Sequence, residues 1–212
     1  MKKIHILIAD DHPIVRAGFK QVIADTDDMV VEDEAGNGQE VLNLVRKKNY
    51  DIILLDISMP GRNGLEIIKD LKVEKPKIPI MILSIYPEEQ YAIRALRAGA
   101  AGYMTKASAP HELIAAIRKI CQGGKYISAA LAEKLTDYLD TDVTKPPHEL
   151  LSDREHQVML MIASGKTVSG IADELFLSVK TISTYRSHIL EKMKLKNNAE
   201  ITLYAVQNQL IS

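Results

Sequence analysis

The 212-residue sequence has little of several features that would define a protein class. It has one cysteine, Cys121. That excludes an intramolecular disulfide framework and fits a reducing compartment. It has almost no net charge, a formal −1, so the chain as a whole argues neither for nor against a nucleic-acid partner. It has no apolar run approaching the length of a membrane span. The opening "MKKIHILIADDHP" meets two acids before any long apolar region, unlike a signal peptide. A soluble cytoplasmic protein without membrane association is expected. Internal repeats, low-complexity tracts and a "G-x-x-x-x-G-K-[ST]" phosphate loop are all missing. ATP is therefore not expected as a direct substrate.

What is present is a globular balance, 46% hydrophobic and 26% charged, and a regular rhythm. Short apolar runs fall at 3–9, 29–35, 51–56, 78–84 and 100–106. Four are rich in Ile, Leu, Met and Val without alternation, the pattern of strands buried on both faces. Helical periods fill 13–24, 38–48, 64–73, 87–98 and 108–122. The alternation predicts an α/β domain over 1–123, a five-stranded parallel doubly wound sheet. A helix is predicted over 128–139, and the polar "DTDVTKPPHE" reads as a linker, within a connecting segment 124–147. From 148 to 212 only helical periods appear, at 152–164, 167–175, 178–194 and 198–209. This predicts a second, small all-α domain.

Polar residues sit at the strand ends. Asp10 and Asp11 follow the first apolar run, Asp56 closes the third, Ser84 the fourth and Lys106 the fifth. Ligands of open parallel sheets bind outside the carboxyl ends of the strands. Three carboxylates, one ammonium and one hydroxyl converging there suit a hard divalent cation, Mg²⁺, and a phosphoryl group. Asp56 is the candidate nucleophile, forming an acyl phosphate. His12, beside the acids, is expected to play a structural or supporting part. Tyr103 reads as an aromatic on a strand near a surface.

The segments "ADDH", "LLDISMPGRNGLE", "ILS" and "GYMTK" resemble the receiver domain of two-component response regulators, a flavodoxin-like fold. The resemblance implies that Asp56 is the phosphoacceptor. It implies that Asp11, Asp56 and the backbone carbonyl of Ser58 bind Mg²⁺, with Asp10 acting partly through water. Lys106 would neutralise the phosphoryl group. Ser84 and Tyr103 would form a switch pair, and Gly64 would relieve crowding where a helix starts. The donor would be a phosphohistidine on a sensor histidine kinase or phosphotransfer protein.

In the second domain, Ile171, Leu175, Ile182, Ile189 and Met193 recur at helical spacing, and "LFLS" separates two helical runs. Two helices joined by a tight turn suggest a helix-turn-helix. Between Ser178 and Lys196 five basic residues face one acid, Glu191. Lys180, Ser183, Thr184 and Ser187 make an outward polar face suited to the DNA major groove. The stretch from "LSDREHQ" to "ILEKM" resembles the LuxR/FixJ-type DNA-binding domain, and together with the receiver resemblance the chain looks like the NarL/FixJ class of response regulators. That resemblance implies Ser183, Thr184 and Ser187 as base readers. It implies Lys180, Thr181, Arg186, His188 and Lys192 as backbone contacts on double-stranded DNA. It also implies a final helix that pairs two copies, a homodimer when phosphorylated or DNA-bound. Gly170, Tyr185 and Phe176 depart from the usual residues of that domain, and Gly170 is expected to loosen its helix.

The expected function is a phosphorylation-switched DNA-binding transcription regulator rather than a turnover enzyme. The receiver would catalyse only its own phosphorylation and dephosphorylation. Two other readings stay open at this point. One is a metal-dependent aspartyl phosphatase, although Asp56-Ile57-Ser58 lacks the second acid such enzymes use. The other is a phosphorylation-independent DNA- or protein-binding module.

Overall fold

The computed structural model describes residues 3–128, 131–133 and 146–211. The chain divides into two compact units, Met1–Leu135 and Thr136–Ser212.

The first unit alternates strand and helix: β1 Ile4–Ala9, α1 Pro13–Ala24, β2 Met29–Ala35, α2 Gly38–Lys47, β3 Ile52–Asp56, α3 Gly64–Glu74, β4 Ile80–Ser84, α4 Glu88–Ala98, β5 Gly102–Thr105 and α5 Pro110–Cys121. The five strands pair in the order β2-β1-β3-β4-β5 and every pairing is parallel. Every residue of β3 and β4 is buried. These are the runs without alternation, covered by helices on both faces. β2 is one of the two edge strands and mixes buried with exposed residues. Its acids meet cations of neighbouring elements: Glu34 pairs with Arg16 and Lys20, and Asp33 with Lys48.

Order in the sheet positions the site. From β1 the chain leaves through α1 to one edge, then returns through α2 to β3 on the other side. The connections diverge at the carboxyl ends of β1 and β3, which opens a crevice there. Pro13 starts α1, where its missing N–H costs nothing.

One pairing was not legible in the sequence. After α5, Tyr126 bridges Gly102 in parallel. The Tyr126 N–H donates to Ala101 O at 3.0 Å, and the Tyr103 N–H to Tyr126 O at 3.2 Å. Gly102 permits this approach, since a Cβ there would lie 2.8 Å from Tyr126 O. A single residue pair is too short to register as a strand pattern. The helix expected over 128–139 and the linker after it fall mostly outside the described residues; 131–133 are helical.

In the second unit a 3₁₀ turn, Pro147–Leu150, precedes α6 Asp153–Ala163, α7 Val168–Glu174, α8 Val179–Met193 and α9 Asn198–Gln207. Each helix start has its cap. Ser152 and Glu155 form a reciprocal capping box on α6, and the side chains of Thr167, Ser178 and Asn197 cap the other three. The apolar positions read at helical spacing, Ile171, Leu175, Ile182, Ile189 and Met193, are all buried, with Ala172 among them.

Phe176 closes α7 in the left-handed region, φ 54°, and is 71% exposed. A non-glycine residue there costs about 1 kcal/mol. Leu177 N–H reaches back to Ala172 O at 2.9 Å, closing the turn that the sequence pattern places at "LFLS". Gly170 lies on the exposed side of α7, and its N–H is the one that Thr167 Oγ1 caps at 3.1 Å.

Candidate functional site

The crevice beyond β1 and β3 gathers the residues read at the strand ends. Asp10 and Asp56 are each 2% exposed, and Asp11 is partly open. Lys106 Nζ lies 2.5 Å from Asp10 Oδ2 and 2.7 Å from Asp56 Oδ2. Asp56 Oδ1 accepts from the Ser58 N–H at 3.1 Å. The His12 N–H donates to Asp10 Oδ1 at 2.9 Å, and His12 Nδ1 stands 2.9 Å from Asp11 Oδ1. One ligand atom from each of Asp10, Asp11, His12 and Asp56 falls within 4.8 Å of the others.

Charge in this crevice is unbalanced. Three carboxylates face one ammonium, a net −2 when all are ionised. Burial raises the Asp56 carboxyl above its ordinary value, although Lys106 pulls the other way. Burial also works against the Lys106 ammonium, but Asp56 and Asp10 outweigh it and hold it above its ordinary range. A dication would bring the charges to balance, and an all-oxygen set of carboxylates and carbonyls suits Mg²⁺.

Ser84 ends β4 and is fully buried, its Oγ accepting from the Tyr86 N–H at 3.1 Å. Tyr103 is also fully buried, where the sequence suggested a position near a surface. Its hydroxyl donates to Tyr86 O at 2.9 Å. Ser84 and Tyr103 therefore hold the same residue of the β4–α4 connection from its two backbone groups. Burial pushes the Tyr103 hydroxyl far above its ordinary range, so it stays protonated. Gly64 sits where α3 begins, and a Cβ there would lie 2.7 Å from Ile57 Cα and 2.8 Å from Asp56 O.

Sequence reasoning missed Arg16. Its guanidinium donates to the Asp10 carbonyl at 2.6 Å and to Glu34 at 3.1 Å, tying the acid-bearing loop to β2. The available signal was its position one helical turn after His12.

In the second unit, Lys180, Ser183, Thr184, Ser187 and His188 are exposed on α8, with Thr181 half-buried. The hydroxyls of Thr184 and Ser187 donate back to the carbonyls of Lys180 and Ser183, at 3.0 and 3.1 Å. Their lone pairs remain available to a donor from outside. Thr181 Oγ1 lies 2.7 Å from Ser178 Oγ, and three of the eight residues read as DNA contacts pair with other helices of the unit. Arg186 Nε donates to Asn198 Oδ1 at 2.6 Å. Lys192 Nζ holds Glu155 at 2.6 Å, and His188 Nδ1 is 3.4 Å from the same carboxylate.

Glu155 thus links the start of α6 to α8. Burial raises its carboxyl, but Lys192 and the Ser152 cap outweigh that and leave it below its ordinary 4.5. A depressed carboxylate contributes stability above the unfolded-state value and loses it as pH falls through the folded one. We expect the second unit to lose stability on acidification from pH 4.5 downward, and Glu155→Gln to flatten that dependence. Thermal unfolding of this unit across pH checks it.

Comparison with known proteins agrees on both units. Residues 6–118 match the response regulator receiver domain, and residues 149–205 match the luxR family of bacterial regulatory proteins. The response regulator GacA of Pseudomonas viridiflava is 38% identical over 209 residues, 98% of each chain. The response regulator UvrY of Escherichia coli K12 is 34% identical over 208 residues, 98% of this chain and 95% of that one. RcsB of Salmonella enterica serovar Typhimurium, solved bound to promoter rprA in the presence of the phosphomimetic BeF3−, superposes with a TM-score of 0.67 at 26% identity. The match covers 96% of this chain and 98% of that one.

Proposed function

Since the chain belongs to the response regulators of the NarL/FixJ class, which join a receiver to a LuxR-type DNA-binding domain, we propose that phosphoryl transfer to Asp56 switches its grip on DNA. The protein is a phosphorylation-dependent transcription regulator of the two-component type. The receiver spans 1–123, the connecting segment 124–147 and the DNA-binding domain 148–212.

The observation that carries the Asp56 assignment is its place: buried at the end of β3, bonded to Lys106, inside a crevice with two more acids. A carboxylate oxygen of Asp56 attacks phosphorus while the bond from phosphorus to the donor's imidazole nitrogen breaks. The donor is a phosphohistidine on a sensor histidine kinase or phosphotransfer protein. Lys106 stays beside the transferred oxygens and offsets their charge. Asp11, Asp56 and the Ser58 carbonyl, with Asp10 through water, would hold Mg²⁺. When bound, Mg²⁺ neutralises charge developing on the phosphoryl oxygens. The rim suits a docking partner: Ile14 on α1 is 83% exposed, and an apolar groove lined by Val15, Phe19, Met104, Pro110 and Leu113 reaches Lys106.

Once Asp56 carries the phosphoryl group, Ser84 moves to hydrogen-bond it and Tyr103 holds the rearranged connection. That biases a two-state receiver. A homodimer then binds two half-sites. Ser183, Thr184 and Ser187 read base edges, while Lys180, Thr181, Arg186, His188 and Lys192 hold the backbone. No helix among the described residues is long and apolar enough to cross a membrane, and the cytoplasm is the expected compartment.

The direct test is intact mass after exposure to a small-molecule phosphodonor with Mg²⁺. One phosphoryl group per chain, located at Asp56 and absent when Mg²⁺ is withheld, is the expected result. On the DNA side, Lys180→Ala should weaken binding alike on specific and unrelated duplexes. It should also reduce the slope of log K against log salt by about 1. Ser183→Ala should instead change which operator is preferred. Titrations at several salt concentrations separate the two effects.

A further inference from the structure

We propose that His12 is an additional ligand of the acidic crevice and turns it toward borderline divalent cations such as Ni²⁺ and Co²⁺. This rests on reading the crevice as a cation site.

The donors address different oxygens. Lys106 takes Oδ2 of Asp10 and Oδ2 of Asp56. The His12 ring instead approaches Asp11 Oδ1 at 2.9 Å and Asp10 Oδ1 at 3.4 Å. Its position is fixed through the backbone: the His12 N–H is bonded to Asp10 Oδ1, and Pro13 begins α1 immediately after. The ring itself is 63% exposed, so it can turn to present Nδ1 without repacking the core. One donor atom each from Asp10, Asp11, His12 and Asp56 lie within 4.8 Å of one another.

The chemistry of that set differs from one of oxygens alone. Mg²⁺ takes oxygen ligands and keeps its waters, so an imidazole adds little for it. Co²⁺ and Ni²⁺ gain from nitrogen and rank above Mn²⁺ at mixed nitrogen and oxygen sites. A neutral His12 would strengthen their binding while leaving that of Mg²⁺ nearly unchanged. Such cations would then compete for the phosphorylation site.

The test uses the full chain, calorimetric titration with Ni²⁺ and with Mg²⁺, and proton NMR of the Co²⁺ complex. Imidazole protons on a Co²⁺ ligand are contact-shifted far outside the normal range. His12→Gln should weaken Ni²⁺ by about tenfold and Mg²⁺ by less than about twofold. The shifted imidazole signals should vanish in His12→Gln and in Asp11→Asn, which excludes other histidines as their source. Retained Mg²⁺ binding in His12→Gln shows that its site is still folded. Equal weakening of Ni²⁺ and Mg²⁺, or no shifted signal that depends on His12, overturns the inference and leaves the cation site standing. If neither Mg²⁺ nor Ni²⁺ binds the wild-type crevice, the cation reading falls and this inference with it.

Discussion

Asp56→Asn is expected to leave a folded chain whose DNA affinity no longer responds to a phosphodonor. Wild type should gain on the order of tenfold in affinity, since coupling between two sites of one protein is typically 1–3 kcal/mol. The variant should gain nothing, because an amide at this position offers no carboxylate oxygen to phosphorus. Folding and function can be separated here by pH. The Asp56 carboxyl is raised above its ordinary 3.8, chiefly by burial. A native state that binds the proton more tightly than the unfolded chain loses stability as pH rises from 3.8 through the folded-state value. Asparagine removes that penalty, and Lys106 keeps its pairing with Asp10. The metal-free variant should therefore melt at or above the wild-type temperature at pH 7. A variant that melts lower would mean the carboxylate supports the fold. A variant whose DNA binding still responds to phosphodonor would place the acceptor elsewhere.

The sequence carried the frame of this site because parallel sheets convert strand ends into one place. Asp10, Asp56, Ser84 and Lys106 span almost a hundred positions, yet each closes or follows an apolar run. The runs alone predicted β1, β3 and β4 to within a residue or two of Ile4–Ala9, Ile52–Asp56 and Ile80–Ser84. Helix starts were legible where a helical period followed a break, as after "LFLS", where the period 178–194 matches α8 Val179–Met193. What stayed hidden depends on contacts between elements. Arg16 reads as an ordinary helical cation until its guanidinium is placed on the Asp10 carbonyl. The Glu155–Lys192 pair joins positions 37 apart, and neither residue carries a local pattern that announces the other. Lys192 was read only as a DNA contact, but its ammonium already has a partner inside the unit. The inward position of Tyr103 was likewise invisible, since a tyrosine on a strand has no preference between an edge and a core.

The second large effect concerns a residue with no side chain. Gly64→Ala is expected to cost the receiver about 3 kcal/mol, the upper range for overpacking a close-packed interior. For a unit of this size that lowers its melting temperature on the order of 10 °C. The reason is geometric. A Cβ at position 64 would lie 2.7 Å from Ile57 Cα and 2.8 Å from Asp56 O, and both are backbone atoms that no rotamer change can move. The same backbone closes the loop, since the Gly64 N–H donates to Ile57 O at 3.1 Å. To admit a methyl group, either the start of α3 must lift away or the end of β3 must shift. Both routes displace Asp56 against Lys106, which holds it from the end of β5. Phosphorylation should therefore fall even at temperatures where the variant is fully folded. Gly61, where an added Cβ would meet nothing within 4 Å, makes the contrast. Its φ of 83° imposes local strain on an alanine, but without any clash against β3. Gly61→Ala should lose about 1 kcal/mol and keep its phosphorylation rate near wild type. Rates measured with a small-molecule phosphodonor, well below both melting temperatures, distinguish a displaced Asp56 from a chain that is merely less stable. If the two variants lose rate equally, crowding at Gly64 is not what sets the position of the acceptor.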